Sequence, residues 1–105
     1  MVHHAVYFKL KAGVTPDQIE RMIIETRISL LKIPEVSNLR TGKNTDPQSP
    51  WGFFLAFDCE SLAKLEIYRQ HPQHIKYVQD IINPHTSERF AQDFEMEPGK
   101  DIRYS

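Results

Sequence analysis

The residues of this chain with the greatest chemical capacity fall in one stretch, Tyr68-Arg69-Gln70-His71-Pro72-Gln73-His74. It places two imidazoles and a phenol within seven residues, across a proline that must interrupt a helix. An imidazole set in an apolar wall has a pKa suited to taking protons near neutrality. A phenol beside it can hydrogen-bond a carbonyl oxygen and stabilise the enolate that forms when the adjacent carbon loses its proton. His74 is therefore the candidate base and Tyr68 the candidate oxyanion donor, in chemistry that needs no cofactor. Each has a structural alternative. His74 can be a core histidine whose ring binds a backbone carbonyl and holds the helix–proline–helix corner, and Tyr68 a buried ring tied to His71, His74 or backbone. His71, directly before Pro72, reads as the N-cap of the following helix.

The elements that must position these groups follow from periodicity. Val2 to Lys11 alternates with period two, putting Val2, His4, Val6, Phe8 and Leu10 on one face and Ala5 and Tyr7 on the other. His4 is the one polar residue on the apolar face, so it is either a third pocket member or a paired core histidine. Gly13 ends the strand. Thr15-Pro16-Asp17-Gln18 then opens a helix by a capping box, with Ile19, Met22, Ile23, Thr26, Leu30 and Ile33 as its apolar stripe and Pro34 as its stop. Glu35 to Lys43 reads as a second strand, residues 44–50 as a solvated loop, and Trp51 to Phe57 as a central strand. Phe53, Leu55 and Phe57 share one face of that strand; Phe54 and Ala56 share the other. Trp51, Phe53 and Phe54 suit a core better than a cofactor platform.

Ser61 caps a helix carrying Leu62, Leu65 and Tyr68, which Pro72 divides from a second helical segment. That segment carries Ile75, Val78, Ile81 and Ile82, with His74 on the stripe of Val78 and Ile81, and Asn83-Pro84 ends it. A last strand alternates Phe90, Gln92, Phe94 and Met96 with Arg89, Ala91, Asp93 and Glu95. The order βαββαβ predicts an α+β, ferredoxin-like sandwich with an antiparallel sheet, occupying residues 1–97, followed by a surface tail at 98–105. Helices cover one sheet face. The other, with Ala5, Tyr7, Phe54 and Ala56, is left apolar and open, which predicts a homodimer joined through sheet faces.

Bulk properties exclude several functions. At 105 residues the chain is one domain with a modest core. Its formal charge is −1, its charged fraction is 26%, and its basic residues form no run, so neither nucleic acid nor an anionic membrane is an expected partner. No apolar run approaches the roughly 18 residues of a membrane span, and the alternating N-terminus is not a signal peptide, so a cytoplasmic location is expected. Cys59 is the single cysteine, without an evident base nearby in sequence, and rules out an internal disulfide. His3, His4, His71, His74 and His85 lack the helical spacing and carboxylates of a catalytic zinc site, so no metal is expected.

Three stretches together, Met1 to Lys11, Phe57-Asp58-Cys59-Glu60-Ser61 and above all the Tyr-x-x-His-Pro-x-His run from Tyr68 to His74, resemble the stress-responsive A/B barrel (Dabb) family. The resemblance spans about Val2 to Met96. It implies a dimeric α/β barrel with helices outside. One branch of the family cyclises linear polyketides by intramolecular aldol chemistry, with a base at the position of His74, a tyrosine at Tyr68 and a first-strand histidine at His4 near the same pocket. The sequence departs from that branch at Phe53, where the branch can carry a further pocket histidine. His4, Phe53 and Val78 are thus the candidate substrate-binding wall, for a small apolar or aromatic ligand. The alternatives are a non-catalytic stress-response oligomer and, since related dimeric barrels do such work, a cofactor-free or haem-degrading monooxygenase, for which the sequence offers no evident axial ligand.

Overall fold

The computed structural model describes residues 1–97; the tail assigned to 98–105 lies outside the described residues. Nine-residue β1, Val2–Leu10, leads through Gly13 into α1, Pro16–Leu30. Gly13 has φ +89°, a conformation that glycine adopts without a Cβ penalty. The predicted capping box is present. The Thr15 hydroxyl accepts the Gln18 amide at 3.2 Å, and the Gln18 side chain accepts the Thr15 amide at 2.9 Å. α1 buries Met22, Thr26 and Leu30. Ile33 is buried just past its end.

β2 is Ser37–Lys43, starting later than the predicted Glu35 because Pro34 and Glu35 lie in a turn in which the Val36 amide donates to the Ile33 carbonyl at 3.1 Å; its register with β3, Trp51–Cys59, is irregular between Ser37 and Arg40. Asn38 takes a left-handed φ of 50° there and donates its side-chain amide to Asp58 at 2.9 Å. α2, Leu62–Gln70, is capped by the Ser61 hydroxyl, which accepts the Lys64 amide. α3, Pro72–Tyr77, follows at once, then a π-helical turn, Val78–Ile82, a short α4, Asn83–His85, and β4, Thr86–Glu95.

The four strands form one antiparallel sheet in the order β2-β3-β1-β4, the ferredoxin-like arrangement. On its inner face Val2, Val6, Phe8, Phe53, Leu55 and Phe57 pack with Met22, Leu30, Leu65, Tyr68, Tyr77 and Ile82 from the helices. Phe53 and Phe57 are fully buried, and a side chain of that kind contributes about 1.5–3 kcal/mol when taken from water. The outer face carries Tyr7 between Phe54 and Phe90, and Ala5 between Ala56 and Gln92. Tyr7, Phe90 and Phe94 are about half exposed on it.

Three helical details differ from the sequence expectation. Leu62 and Ile75 are exposed, and Tyr77 takes the buried position instead. In the second segment the π turn is the cause, since its extra residue lets Tyr77 and Ile82, five positions apart, both face inward. Asn83-Pro84 does not end the helix. Pro84 sits in the first turn of α4, where its missing N–H costs little. His85 Nδ1–H and the Thr86 hydroxyl then donate to the Ile81 and Ile82 carbonyls at 2.7 and 2.9 Å, closing the helix end. No described helix is long and apolar enough to cross a membrane.

Candidate functional site

Tyr68 ends up inside because it lies one turn after Leu65 on the face of α2 that meets β3. Its ring packs on Phe57 at a centroid distance of 4.6 Å and is only 2% exposed. Its hydroxyl makes no hydrogen bond among the described residues, yet is not sealed off. Burial, reinforced by Tyr77, raises its pKa far above the ordinary phenol value, so it remains a neutral donor.

His71 then turns the chain. Its extended ψ of 133° ends α2, and its Nδ1 accepts the Gln73 amide at 3.1 Å to cap α3. The corner swings His74 back over Tyr68, with ring centroids 4.4 Å apart. His74 Nδ1 lies 2.9 Å from the Arg69 carbonyl oxygen. A carbonyl only accepts, so Nδ1 carries the proton and the lone pair of the neutral ring is at Nε2. Burial lowers the His74 pKa, against the opposing effect of that hydrogen bond, and His4, Arg89 and Arg69 lower it further. The ring is therefore neutral, and basic at Nε2, at neutral pH.

His4 approaches from β1. Its cross-strand partner on β4 is Asp93, and its Nδ1–H donates to Asp93 Oδ1 at 2.5 Å. The other carboxylate oxygen accepts from Arg69 Nη2 at 3.1 Å. This His4–Asp93–Arg69 chain links β1, β4 and α2 under the Tyr68–His74 pair. Adjacent His3 points to the opposite face, where its Nδ1 binds Asp58 at 2.9 Å. The two neighbouring histidines therefore do not share a site, and the described residues contain no group of His, Cys, Asp or Glu arranged for a metal.

His4, Tyr68, His74 and Val78 line one cavity of about 300 Å³ between the inner sheet face and α3, walled further by Val6, Phe8, Leu55, Ile82 and Ala91. That volume is at the small end of the range for small-molecule sites. Arg69 and Arg89 complete the polar part of the wall. Phe53 does not line it. Phe53 is 1% exposed and sits against Phe8 at 5.7 Å between centroids, so it belongs to the core. Tyr77 also lines the cavity, but its hydroxyl is occupied: Thr26 gives its proton to the Met22 carbonyl, so Tyr77 must donate to Thr26 Oγ1, at 2.6 Å. Larger hollows lie beside Met1 and Glu60 (about 580 Å³) and beneath the loop at residues 44–50 (about 520 Å³), neither lined by a histidine or a tyrosine. That loop closes against the start of α1, away from His74. Cys59 is buried, donates to the Ser61 carbonyl at 3.3 Å, and burial pushes its pKa up, so it is an inert thiol.

Sequence reasoning missed Asp93, Arg69 and Arg89. The available signal was the inner face of the last strand, where Arg89, Ala91, Asp93 and Glu95 replace large apolar residues. A ferredoxin-like strand order puts that face beside β1, hence beside His4.

A sequence profile of the stress-responsive A/B barrel domain matches residues 2–96. The chain belongs to the Dabb family. A Dabb family protein with a ferredoxin-like fold from Mesorhizobium loti is 21% identical, with a TM-score of 0.78, over 91% of this chain and 96% of that one. A dimeric ferredoxin-like protein of unknown function from Thermobifida fusca is 27% identical, with a TM-score of 0.80, over 90% of each chain. The hydroxynitrile lyase of Passiflora edulis shares the fold at 14% identity, with a TM-score of 0.78, over 95% of this Dabb chain and 96% of the lyase. No curated protein matches the sequence.

Proposed function

We propose that this Dabb protein is a homodimer whose cavity binds a small carbonyl compound and performs cofactor-free acid–base chemistry on it. His74 Nε2 takes the proton from the carbon next to the carbonyl. The C–H electron pair moves into an enolate, whose oxygen accepts a hydrogen bond from the Tyr68 hydroxyl, and the imidazolium returns the proton in a later step. The observation carrying this reading is the division of labour on His74. Nδ1 is committed to the Arg69 carbonyl, while the ring stays neutral and packs at a tilt against a phenol whose hydroxyl is unused. Intramolecular aldol closure, the chemistry implied by the family's cyclase branch, begins with this proton transfer.

The dimer is supported by the outer sheet face, where Phe54, Tyr7 and Phe90 form a row of aromatic rings across three strands and Phe94 is exposed further along β4, and by the dimeric relative from Thermobifida fusca. A second reading is favoured by the same His74–Arg69 bond, since a histidine that only braces the corner would make it too. In that reading the protein is a structural or stress-response oligomer without turnover.

Hydrogen–deuterium exchange at the methyl group of acetophenone, followed by proton NMR in deuterated buffer, separates the two. The acid–base reading expects exchange on the order of a hundredfold faster than buffer alone, falling to the buffer rate in His74→Ala with the circular dichroism spectrum unchanged. Exchange no faster than buffer with the wild-type protein, together with histidine resonances unmoved by acetophenone, contradicts it.

A further inference from the structure

The charges around the cavity do not balance. Arg69 is satisfied on both sides, by Asp93 at 3.1 Å and by Glu66 at 3.3 Å. Arg89, on the inner face of β4, makes no ion pair or hydrogen bond among the described residues. Its same-face neighbours are apolar: Ala91 on its own strand and Phe8, its register partner, on β1. Both line the cavity with it. On the opposite face, one residue away, Glu88 pairs with Lys9 of β1 at 2.8 Å, so the nearest carboxylate on the strand is already taken. The positive field of Arg89 also reaches the His74 ring. Proton abstraction would create an imidazolium facing Arg89 and Arg69, and an anionic group on the ligand would offset their repulsion in addition to the enolate formed in the same step.

We infer that the cavity is built for an organic anion, a single-ring aromatic or short keto acid whose carboxylate pairs with the Arg89 guanidinium. The guanidinium fork matches a carboxylate through two parallel N–H···O bonds. The apolar wall of Val6, Phe8, Leu55 and Ala91 then holds the hydrocarbon body, and the reactive carbonyl falls between His74 and Tyr68. The placement of that carbonyl rests on the acid–base reading. The carboxylate site stands on the cavity and its unbalanced charge.

Binding of benzoate and of benzamide, its neutral counterpart of like shape, tests the carboxylate site by chemical-shift titration. Benzoate binds the wild-type protein about ten- to a hundredfold more tightly than benzamide, the range of one charge-assisted pair. Arg89→Gln removes that preference, weakening benzoate far more than benzamide, while Arg89→Lys, a point charge without the fork, keeps part of it. Arg89 is exposed on an edge strand, so these variants fold, which circular dichroism checks. Equal affinities in the wild-type protein, or a preference that survives Arg89→Gln, overturns the inference. A benzoate preference lost in Arg89→Gln, found where acetophenone exchange is absent, upholds the anion site and removes only the acid–base reading.

Discussion

His74 donates its Nδ1 proton to the backbone carbonyl of Arg69 at 2.9 Å, five residues back across the Pro72 break. That bond makes one residue serve two purposes. It braces the corner between α2 and α3, and it fixes the tautomer that leaves Nε2 free for the cavity. Arg69 in turn holds Asp93, so the orientation of His74 and that of His4 are set through a single residue.

The lowered pKa of His74 has a consequence for stability. The unfolded ring gains its proton at the ordinary imidazole pKa, the folded ring only at a lower pH. Between these values the unfolded state binds more protons, so the contribution of His74 is fully present above the ordinary value and is lost as pH falls through the folded one. Urea midpoints measured at neutral pH and at about pH 5 should drop more for the wild-type protein than for His74→Gln. Equal drops would contradict a half-buried ring held neutral.

Two tyrosines of the same cavity should respond oppositely to loss of their hydroxyls. Tyr68→Phe removes a group with no hydrogen-bond partner, so stability should hold or rise slightly while acetophenone exchange falls. Tyr77→Phe removes a donor to Thr26 and should cost about 1 kcal/mol in urea unfolding, with exchange largely retained. A Tyr68→Phe protein as destabilised as Tyr77→Phe would show that the Tyr68 hydroxyl is structural.

Asp93→Ala strands the Nδ1–H of His4, whose side chain is 7% exposed. An unsatisfied buried donor costs about 1–3 kcal/mol, and Arg69 loses one of its two carboxylates. Denaturant unfolding should show a loss in that range. A change within about 0.5 kcal/mol, the ordinary scatter of surface substitutions, would mean that the His4–Asp93 bond does not persist in solution.

Phe90→Glu places a carboxylate on the edge strand of the outer sheet face, beside Tyr7. In a two-fold dimer the substitution acts twice. Sedimentation should show a dimer for the wild-type protein and a monomer of unchanged secondary structure for the variant. A variant that remains dimeric would place the contact elsewhere on the molecule.

Much of the scaffold could be read locally. The Thr15–Gln18 capping box, the alternation of β1 and the break at His71-Pro72 depend on residues within four positions of each other, and all three are present. The pairing of His74 with Tyr68 spans six positions but is still local, since one corner contains both. The π turn at Val78–Ile82 was not legible, because its extra residue breaks the 3.6-residue spacing on which Ile75 looked buried and Tyr77 did not. The partner of His4 was beyond local reading altogether. Asp93 is 89 residues away and meets it only through the register of β1 with β4. Phe53 shows the converse limit, since a residue on the correct face of the correct strand can still lie in the core one layer below the cavity.

The central claim is that His74 presents a bare, basic Nε2 to a ligand cavity, and a long-range proton–nitrogen NMR spectrum of its ring tests this directly. At neutral pH the account predicts a protonated Nδ1 and an unprotonated Nε2, with the Nε2 resonance shifting on addition of acetophenone and the His71 and His85 rings unmoved. A His74 ring protonated at Nε2, or one indifferent to the ligand, would contradict it.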